Sequence, residues 1–458
     1  YDVRGIYPDQ LDATLARNVG AAFVRVLKIA TSDGGPGAVV VGWDMRPSGP
    51  ELVDAFADGV TSQGVDVIKI GLASTDGLYF AAGRLALHGA MFTASHNPAQ
   101  YNGIKLCRPG AAPVGQDSGL ADIKAMIRAG VPTSDGPRGS ISNRDMLADY
   151  AAHLRALVDI ESIRPLTVVV DAGNGMGGHT VPVVLKDLPL TVIPMYFELD
   201  GTFPNHEANP IDPENLRDLQ VAVIAHGADL GLAFDGDADR CFVVDERGAI
   251  VDPSTLTALI AVRELAKSPG ATIIHNLITS SAVPQIVREH GGTPVRTRVG
   301  HSFIKQQMAD SGAVFGGEHS GHFYFKDFWN ADSGMLAAMH ALAALGETAP
   351  GTTMSALCRD YVRYVASGEI NTRVSDAKAV LAHIKAESAA LPNVTTDELD
   401  GLTVSGDGWW FNVRPSNTEP LLRLNCEAST RADMERTRDD VLRGIDFLGE
   451  HGLGDDVL

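Results

Sequence analysis

The sequence contains few cysteines, and none of them stands in a pattern typical of a disulfide framework or a zinc site. The four cysteines are Cys107, Cys241, Cys358 and Cys426. No two of them show the two-residue spacing that metal-binding and redox pairs share, and small disulfide-stabilised secreted domains are much richer in cysteine. We therefore expect reduced thiols and a cytoplasmic protein.

Long apolar runs and an excess of positive charge are also missing. The apolar run 256–262 ends at Arg263, far short of the roughly 18 residues needed to cross a bilayer, so we expect no membrane partner. Acidic side chains number 57 against 37 basic ones, which gives a formal net charge of -20. This charge disfavours nonspecific binding to nucleic acid or anionic lipid. An anionic substrate would therefore need a locally basic pocket.

The chain does contain a pattern that occurs three times. An apolar, β-branched run ends at a glycine-rich or polar loop, and a helix-compatible stretch and a second apolar run follow it. The first runs are 38–44, 166–171 and 271–276, and the second runs are 65–71, 190–196 and 294–299. Each repeat predicts a βαβ-type unit, so we expect three sequential, similar α/β domains with mixed sheets.

Glycine, proline and charged residues punctuate the chain near Pro137 and Gly248, which places the three α/β domains at 1–137, 138–248 and 249–366. Beyond 367 the pattern changes to a short strand, a helix over about 375–389, three more strands and a last helix capped by Ser429 or Thr430. Strands clustered between two helices predict a smaller C-terminal α+β domain over 367–458.

Three aspartates, Asp235, Asp237 and Asp239, alternate in the segment 234–240. In an extended segment this spacing places the carboxylates on one face, where a divalent cation would offset their repulsion, and all-oxygen ligation favours a hard ion such as Mg²⁺. An EF-hand loop would require glycine at the sixth position, which Arg240 occupies. A solvated acidic turn is the remaining alternative, and the apolar flanks favour the metal site over it.

Ser95 lies in the loop 93–98, where Asn97 and Pro98 are turn-forming residues that would hold the serine in a fixed conformation. A lone loop serine is usually a turn residue or a helix cap. The surrounding sequence does not have the Gly-x-Ser-x-Gly pattern of α/β-hydrolases, so a hydrolase triad has little support. On this loop alone the function of Ser95 stays open.

A loop in the third unit combines groups that suit sugar binding. The segment 317–322 carries Glu318, Ser320 and His322 at alternating positions, so an extended loop would point all three in one direction. A carboxylate beside a hydroxyl suits pairing with vicinal sugar hydroxyls. A glycine-bracketed β-turn with incidental polar residues is the alternative.

A loop in the fourth unit combines groups that suit phosphate binding. The segment 414–420, with Arg423 just beyond it, brings guanidinium donors, two hydroxyls and backbone N–H groups into a tight loop. A surface turn between strands would account for its proline and asparagine. It would leave the clustering of arginine, serine and threonine unexplained.

Together and in this order, the four loops resemble those of the α-D-phosphohexomutase family, in particular its phosphomannomutase/phosphoglucomutase group. The resemblance covers essentially the whole chain. The segments 1–5 and 101–105 also match the family's Tyr-Asp-x-Arg-Gly and Tyr-Asn-Gly-x-Lys patterns. The resemblance implies a fold in which four domains surround a central cleft and contribute one loop each.

The same resemblance implies a role for each loop. Ser95 would carry the phosphoryl group, and the three aspartates would bind Mg²⁺ together with the phosphoserine. The residues implied in catalysis are Ser95, Lys105, His96, Arg4, His301 and His322. Those implied in substrate binding are Tyr1, Arg240, Arg298, Glu318, Ser320, Arg414, Ser416, Asn417, Thr418 and Arg423. Lys105, His301 and His322 are the alternatives for moving the proton, while the arginines would supply positive potential.

The reaction implied by the resemblance interconverts hexose 6-phosphate and hexose 1-phosphate through a hexose 1,6-bisphosphate. The form of the sugar and phosphate loops, with His319 and Asn417, resembles enzymes for mannose and glucose phosphates more than phosphoglucosamine mutases. One departure is the loop 277–280, which has no basic residue where some relatives carry lysine. A metal-dependent sugar phosphatase and a non-catalytic phosphosugar-binding protein are further alternatives. We expect a monomer or a small homo-oligomer.

Overall fold

The computed structural model describes residues 2–29, 37–416 and 421–450, apart from the side chains of 301, 302 and 447–450. In this part of the chain four sheets follow one another along the sequence. The strands and helices of each sheet are consecutive, so the four sheets correspond to four α/β or α+β units. Among the described residues, no helix combines the length and the apolarity that crossing a bilayer requires.

The first unit contains seven strands and four α-helices among the described residues. They are β1 (Val3–Ile6), α1 (Ala13–Leu27), β2 (Ala38–Trp43), α2 (Gly49–Thr61), β3 (Asp66–Leu72), α3 (Thr75–Leu85), β4 (His88–Phe92), β5 (Tyr101–Arg108), β6 (Ala112–Pro113), α4 (Leu120–Ala129) and β7 (Ile141–Asn143). The sheet order is β1-β5-β4-β2-β3-β7, with β6 on β5. Strands β2, β3, β4 and β7 are parallel, and β5 runs against β4.

The second and third units share one topology. The second has α5 (Leu147–Leu157), β8 (Leu166–Asp171), α6 (Gly177–Val184), β9 (Leu190–Met195), α7 (Arg217–His226), β10 (Leu230–Phe234), β11 (Cys241–Asp245) and β12 (Ile250–Val251). The third has α8 (Pro253–Lys267), β13 (Thr272–Asn276), α9 (Ala282–Glu289), β14 (Thr293–Thr297), α10 (His301–Ser311), β15 (Phe315–Gly317), β16 (Phe323–Phe325), β17 (Ala331–Asp332), α11 (Gly334–Gly346) and α12 (Met354–Cys358). Their sheet orders are β12-β11-β10-β8-β9 and β14-β13-β15-β16-β17.

The fourth unit is an antiparallel sheet covered by two helices. Its elements are β18 (Val365–Arg373), α13 (Ala377–Ala389), β19 (Thr395–Asp397), β20 (Leu402–Gly406), β21 (Trp409–Pro415), β22 (Leu421–Ala428) and α14 (Arg431–Glu450). The sheet order is β18-β22-β21-β20-β19, and every neighbouring pair is antiparallel. The hydroxyl of Thr430 caps α14 by accepting from the Asp433 N–H.

The predicted βαβ units are confirmed. The paired strands β2 and β3, β8 and β9, and β13 and β14 are each parallel, as buried apolar runs joined by a helix should be. Helices begin where side chains cap them, as at Asp12 for α1 and Ser74 for α3, which accept from backbone N–H groups of the first turn. Local sequence and tertiary packing therefore agree for the strands that form the centre of each sheet.

The domain boundaries predicted from the sequence differ from the extents of the sheets at three edge strands. Strand β7 joins the first sheet although it lies beyond 137, β12 joins the second although it lies beyond 248, and β18 begins before 367. All three residues of β7 are exposed and β12 has only two residues. Neither strand carries an apolar alternation from which the sequence could have revealed it.

The packing of the four units is unequal. One continuous apolar cluster joins the first three, with members such as Leu78, Leu154 and Met335, one from each. The fourth unit has an apolar cluster of its own, which includes Val413 and Leu424. The first three sheets therefore share a core, and the fourth sheet packs around its own.

Candidate active site

The loops predicted to carry chemistry occupy the same position in the first three sheets. Each follows the third parallel strand and leads into its antiparallel neighbour: β4 to β5 for Ser95, β10 to β11 for the three aspartates, and β15 to β16 for Glu318 and Ser320. Ligands of open α/β sheets bind outside the carboxyl ends of the parallel strands. The shared topology therefore explains why polar side chains from distant segments meet.

Ser95 is buried and faces the aspartate loop. Its Oγ donates to Asp235 Oδ2 at 2.8 Å and lies 3.2 Å from His96 Nδ1. Its backbone has φ of 50°, in the left-handed region that L-residues rarely adopt, and its N–H donates to Thr93 Oγ1 at 2.8 Å. The serine hydroxyl is thus held in one orientation at the junction of the first two units.

The three aspartates converge, but not on an extended segment as the sequence analysis assumed. The backbone turns instead, with the Ala238 N–H donating to the Asp235 carbonyl at 3.0 Å and Ala238 at φ of 58°. All three side chains are buried, and each offers a carboxylate oxygen within 4.8 Å of the other two. The turn produces the convergence that alternation along a strand was expected to give.

Two cations balance part of this charge. Arg240 donates from its backbone N–H and its Nε to Asp235, at 3.1 and 2.9 Å. Lys105 Nζ donates to both Asp237 and Asp239 at 2.7 Å. Burial raises the pKa of Asp235 to about 7, whereas for Asp237 the neighbouring Lys105 outweighs burial and holds the pKa below its ordinary value. Burial opposes the charge of Lys105, yet the two carboxylates raise its pKa well above the usual range.

The donor set fits a hard divalent cation. Asp237 Oδ1 and Asp239 Oδ1 are buried and have no hydrogen-bond partner in the described part of the chain. Unpaired buried carboxylate oxygens are costly, and oxygen-only ligation suits Mg²⁺ better than a soft transition metal. The acidic cluster could therefore bind a metal ion beside the Ser95 hydroxyl.

Five of the predicted catalytic residues line one cavity of about 160 Å³: Arg4, Ser95, His96, Lys105 and His322. Arg4 donates to Asn97 Oδ1 and to Asp2 Oδ2, both at 2.5 Å. The cavity therefore brings together a serine hydroxyl, cations and titratable groups from the first and third units.

The pKa values of the two histidines of this cavity are shifted in opposite directions. Burial, reinforced by Arg240 and Arg4, lowers the pKa of His96 to about 2, so this ring is neutral and also contacts the Arg240 guanidinium. For His322 burial acts in the same direction, but Asp239 and Asp332 outweigh it and raise the pKa above the ordinary value. His322 Nδ1 lies 2.9 Å from Asp332 Oδ2.

The loop 317–322, which is predicted to bind sugar, is a β-turn closed by the Gly321 N–H donating to the Glu318 carbonyl at 3.1 Å. The expectation of an extended loop is wrong because the glycine adopts φ of 85° and turns the chain. The Glu318 carboxylate is buried and accepts from Tyr324 Oη, Asn276 Nδ2 and the Gly300 N–H, at 2.7, 3.2 and 3.1 Å. Ser320 lies at the tip of this turn, partly exposed.

Arg414 and Arg423 are brought together on the fourth sheet. They lie opposite each other on β21 and β22 and share one carboxylate, Glu369, at 2.8 and 3.0 Å. The Nε atoms of both arginines are buried without a hydrogen-bond partner among the described residues. The Ser416 N–H closes the loop by donating to the Leu421 carbonyl at 2.8 Å. The pair forms a compact basic feature that one carboxylate only partly neutralises.

Several predicted residues lie elsewhere or outside the described chain. Arg298 is exposed, and its guanidinium lies over the Phe303 ring at 4.8 Å instead of lining the Ser95 cavity. Tyr1, Asn417 and Thr418 fall outside the described residues, as does the side chain of His301.

Sequence reasoning missed a group of buried residues that hold the site. Arg46 contacts the backbone of the Ser95 loop, and Thr75 Oγ1 donates to Asp237 Oδ2 at 2.5 Å. The buried carboxylate of Asp76 accepts from Tyr150 Oη and Ser333 Oγ, at 2.7 and 2.6 Å, and so joins the first three units. The available signal was charge immediately after a buried strand, as where Asp44 and Arg46 follow β2.

Comparison with known proteins identifies the family to which this chain belongs. Residues 1–132, 148–248, 252–364 and 369–444 match the family models for phosphoglucomutase/phosphomannomutase domains I, II, III and the C-terminal domain. The chain belongs to the phosphoglucomutase/phosphomannomutase family. It is a hexose phosphate mutase of that family, with the four domains in the family's order.

Relatives of this mutase match over nearly their whole length. A phosphomannomutase of Salmonella montevideo is 40% identical over 437 residues, which cover 93% of this chain and 94% of the relative. The phosphohexose mutases of Xanthomonas campestris are 39% identical over 450 residues, 97% of this chain and 98% of theirs. The crystal structure of a phosphoglucomutase/phosphomannomutase family protein from Burkholderia thailandensis has a TM-score of 0.87 at 35% identity, covering 99% of this chain and 97% of that one.

Proposed function

We propose that this mutase transfers phosphate between the 1- and 6-hydroxyls of mannose and glucose, with Ser95 as the phosphoryl carrier and a hexose 1,6-bisphosphate as the intermediate. The observation that carries the proposal is the 2.8 Å contact between Ser95 Oγ and Asp235 Oδ2, at the meeting point of two loops that topology aligns. A serine fixed beside three carboxylates is unsuited to act as a surface turn residue. It is suited to a phosphate that a bound cation neutralises.

The reaction consists of two successive phosphoryl transfers. In the first, a hydroxyl of the hexose monophosphate attacks the phosphorus on Ser95, the bond from phosphorus to Ser95 Oγ breaks, and the hydroxyl proton passes to the released serine oxygen. In the second, Ser95 Oγ attacks the phosphorus of the other phosphate of the bisphosphate, the bond from that phosphorus to the sugar oxygen breaks, and the serine proton passes to this oxygen. The products are phosphoserine and the other hexose monophosphate. Lys105 and His322 line the same cavity and are the groups proposed to move the proton.

Asp235, Asp237 and Asp239 would hold Mg²⁺ through their carboxylates. When bound, the cation would neutralise charge on the transferring phosphate. Lys105 Nζ, which is 2.7 Å from two of these carboxylates, adds positive charge on the same side of the cavity. Arg4 adds another from the first strand. Positive side chains therefore lie beside Ser95 although the whole chain has a net charge of -20.

The phosphate that does not react would bind at Arg414 and Arg423, with Ser416, Asn417 and Thr418 completing the loop. Guanidinium pairs bind phosphate through several directed N–H donors, and the buried Nε atoms of these two arginines lack partners among the described residues. Glu318 and Ser320 would contact the sugar hydroxyls between the two phosphates. Glu318 Oε1 already accepts two hydrogen bonds and Oε2 accepts one, so Oε2 can accept a further hydrogen bond from a sugar hydroxyl.

A coupled assay tests the substrate class directly. Mannose 1-phosphate, glucose 1-phosphate and glucosamine 1-phosphate are compared with catalytic hexose 1,6-bisphosphate and Mg²⁺ present. We expect the first two to react and the third to react poorly. A preference for the amino sugar would overturn the assignment to mannose and glucose, and net release of inorganic phosphate during turnover would indicate a phosphatase instead.

A further inference from the structure

Arg46 satisfies every one of its side-chain donors in the interior of the first unit. Nη1 donates to the carbonyls of Pro98 and Tyr101 at 2.9 Å, and Nη2 donates to those of Ser95 and Asn97 at 2.9 and 2.7 Å. The fifth N–H, on Nε, donates to Asp44 Oδ2 at 3.2 Å. A planar fork of five donors thus meets five acceptors, four of them main-chain carbonyls of the segment 95–101.

The site of these contacts makes Arg46 more than a buried ion pair. Three of the carbonyls belong to the loop between β4 and β5, one of them that of Ser95 itself, and the fourth is that of Tyr101, the first residue of β5. Ser95 sits at φ of 50°, a conformation that costs an L-residue free energy and persists only where the surroundings impose it. The guanidinium draws the loop carbonyls inward, which fixes the backbone from which Ser95 Oγ projects.

The second unit covers Arg46 from the other side. The ring of Phe203 lies over the guanidinium, 5.2 Å from ring centroid to Cζ, and a Cβ at Gly201 would come within 2.7 Å of the Arg46 Cα. At Gly236, between two of the aspartates, a Cβ would overlap the Ser95 carbonyl oxygen. Arg46 therefore sits between the serine loop and the domain that carries the acidic cluster.

We infer that Arg46 is a positioning residue that sets the placement of Ser95 Oγ relative to Asp235, and that its loss slows phosphoryl transfer without weakening hexose phosphate binding. The inference rests on the proposed role of Ser95 as phosphoryl carrier. Arg46 touches neither substrate nor transferring phosphate in this account. It acts through the backbone of the Ser95 loop.

Arg46→Lys is the primary test, because it keeps the charge next to Asp44 while removing two of the five donors and the planar fork. Displacement of a reacting group by about 1 Å costs on the order of 100-fold in rate, so we expect kcat per phosphorylated site to fall by about that factor. KM for the hexose phosphate should change less than about threefold, since the sugar and phosphate loops are untouched. Loss of phosphoryl groups to water, relative to transfer, should rise.

Arg155→Lys is the matched control. Arg155 in α5 also donates to three main-chain carbonyls, those of Val183, Val184 and Lys186, but in the second unit and away from Ser95. We expect its substitution to lower the melting temperature and to leave kcat per phosphorylated site unchanged. If Arg46→Lys and Arg155→Lys gave the same kcat per site, Arg46 would be merely structural and the inference would be wrong.

Phe203→Leu keeps the test decisive if Arg46→Lys does not fold. It leaves all five Arg46 donors in place and removes only the ring over the guanidinium, so we expect a smaller fall in kcat, severalfold, again at constant KM. An unchanged kcat in that variant would overturn the inference. Phosphorylation of wild-type Ser95 by hexose 1,6-bisphosphate is measured alongside, because its absence would contradict the proposed function rather than the role of Arg46.

Discussion

The surroundings of Ser95 and the arginine pair of the fourth unit are built in opposite ways. Around Ser95, side chains from the first two units meet within hydrogen-bond distance, and the first three units share one apolar core. Arg414 and Arg423 lie on a sheet with its own core, and the carboxylate that holds them, Glu369, belongs to that sheet. Fixed geometry would suit the phosphoryl transfer proposed for Ser95, and a separately built arginine pair would suit the proposed binding of the phosphate that does not react.

The contacts between the third and fourth units are polar and local. Glu427 accepts from the Ser281 N–H at 2.9 Å, Asp400 accepts from the Val299 N–H at 3.2 Å, and Arg296 pairs with Asp397. Interfaces of this kind resemble those between domains that can shift relative to one another. The comparison therefore predicts that substitutions near Ser95 affect the rate of chemistry, and that substitutions in the fourth unit affect binding.

The largest expected effect is that of Ser95→Ala. Without the carrier oxygen we expect kcat to fall about 10⁴-fold or more, while stability changes by only about 1 kcal/mol because one hydrogen bond to Asp235 is lost. The measurement is the coupled assay, with a thermal unfolding curve as control. Full activity of the variant with hexose 1,6-bisphosphate supplied would contradict the role of Ser95.

Removal of divalent cations should have the next largest effect on the Ser95 region. We expect EDTA to lower the rate by at least about 10³-fold and added Mg²⁺ to restore it, since the cation would supply several kcal/mol of charge stabilisation. Added Mg²⁺ should also raise the melting temperature of the metal-free protein, because the carboxylate oxygens of Asp237 and Asp239 that lack partners would gain one. Undiminished turnover in EDTA would count against a metal requirement.

Arg414→Ala should weaken substrate binding more than it slows the chemical step. Loss of charge-assisted hydrogen bonds worth about 1.5 to 3 kcal/mol should raise KM for the hexose phosphate by about 10- to 100-fold, with a smaller change in kcat. The matched control is Arg436→Ala, an exposed arginine of the same unit that pairs with Asp433, for which KM should not change. A fall in kcat at constant KM for Arg414→Ala would erase the contrast between the two regions.

The smallest expected effect is on the pH dependence of stability, through the pair of His206 and Asp171 in the second unit. Burial disfavours protonation of His206, but its Nε2 lies 2.9 Å from Asp171 Oδ2, and this carboxylate raises the pKa of His206 above the ordinary 6.5. Because the folded pKa exceeds the unfolded one, the contribution of the pair is complete below about pH 6.5 and is lost as the pH rises through the folded pKa.

Asp171→Asn should therefore lower the free energy of unfolding by about 1 kcal/mol at pH 5.5 and by much less at pH 9. Chemical denaturation at the two pH values measures the difference. Asp54→Asn is the control, since Asp54 pairs with a lysine, Lys69, instead of a histidine. An equal cost of Asp171→Asn at both pH values would show that the pair does not depend on a charged His206.

The sequence predicted those parts of the fold whose cause is local. Strand β8 was predicted at its observed bounds because it is a buried apolar run that ends at a polar loop. Strand β7 was missed because all its residues are exposed. In the site, the convergence of the three aspartates was foreseen from their spacing, but the turn that produces it was not, since it depends on Ala238 adopting a positive φ.

Residues that act through long-range contacts were beyond local patterns. Nothing in the sequence near Arg46 indicates that four of its five donors meet carbonyls about fifty residues later, because those contacts exist only once the sheet has formed. The same holds for Asp76, whose carboxylate accepts hydrogen bonds from Tyr150 and Ser333 in two other units. The role of Glu318 as a sugar ligand stays a prediction from the family resemblance, whereas its buried hydrogen bonds to Tyr324 and Asn276 depend on the fold.

Direct mapping of the phosphoryl group tests whether Ser95 carries it. The protein is incubated with hexose 1,6-bisphosphate carrying labelled phosphate, digested, and analysed by mass spectrometry, and the labelled protein is then supplied with hexose 6-phosphate. We expect one phosphate per chain, on Ser95, and its stoichiometric transfer to the sugar. Label on another residue, or no label on a protein that still interconverts hexose phosphates, would contradict the account.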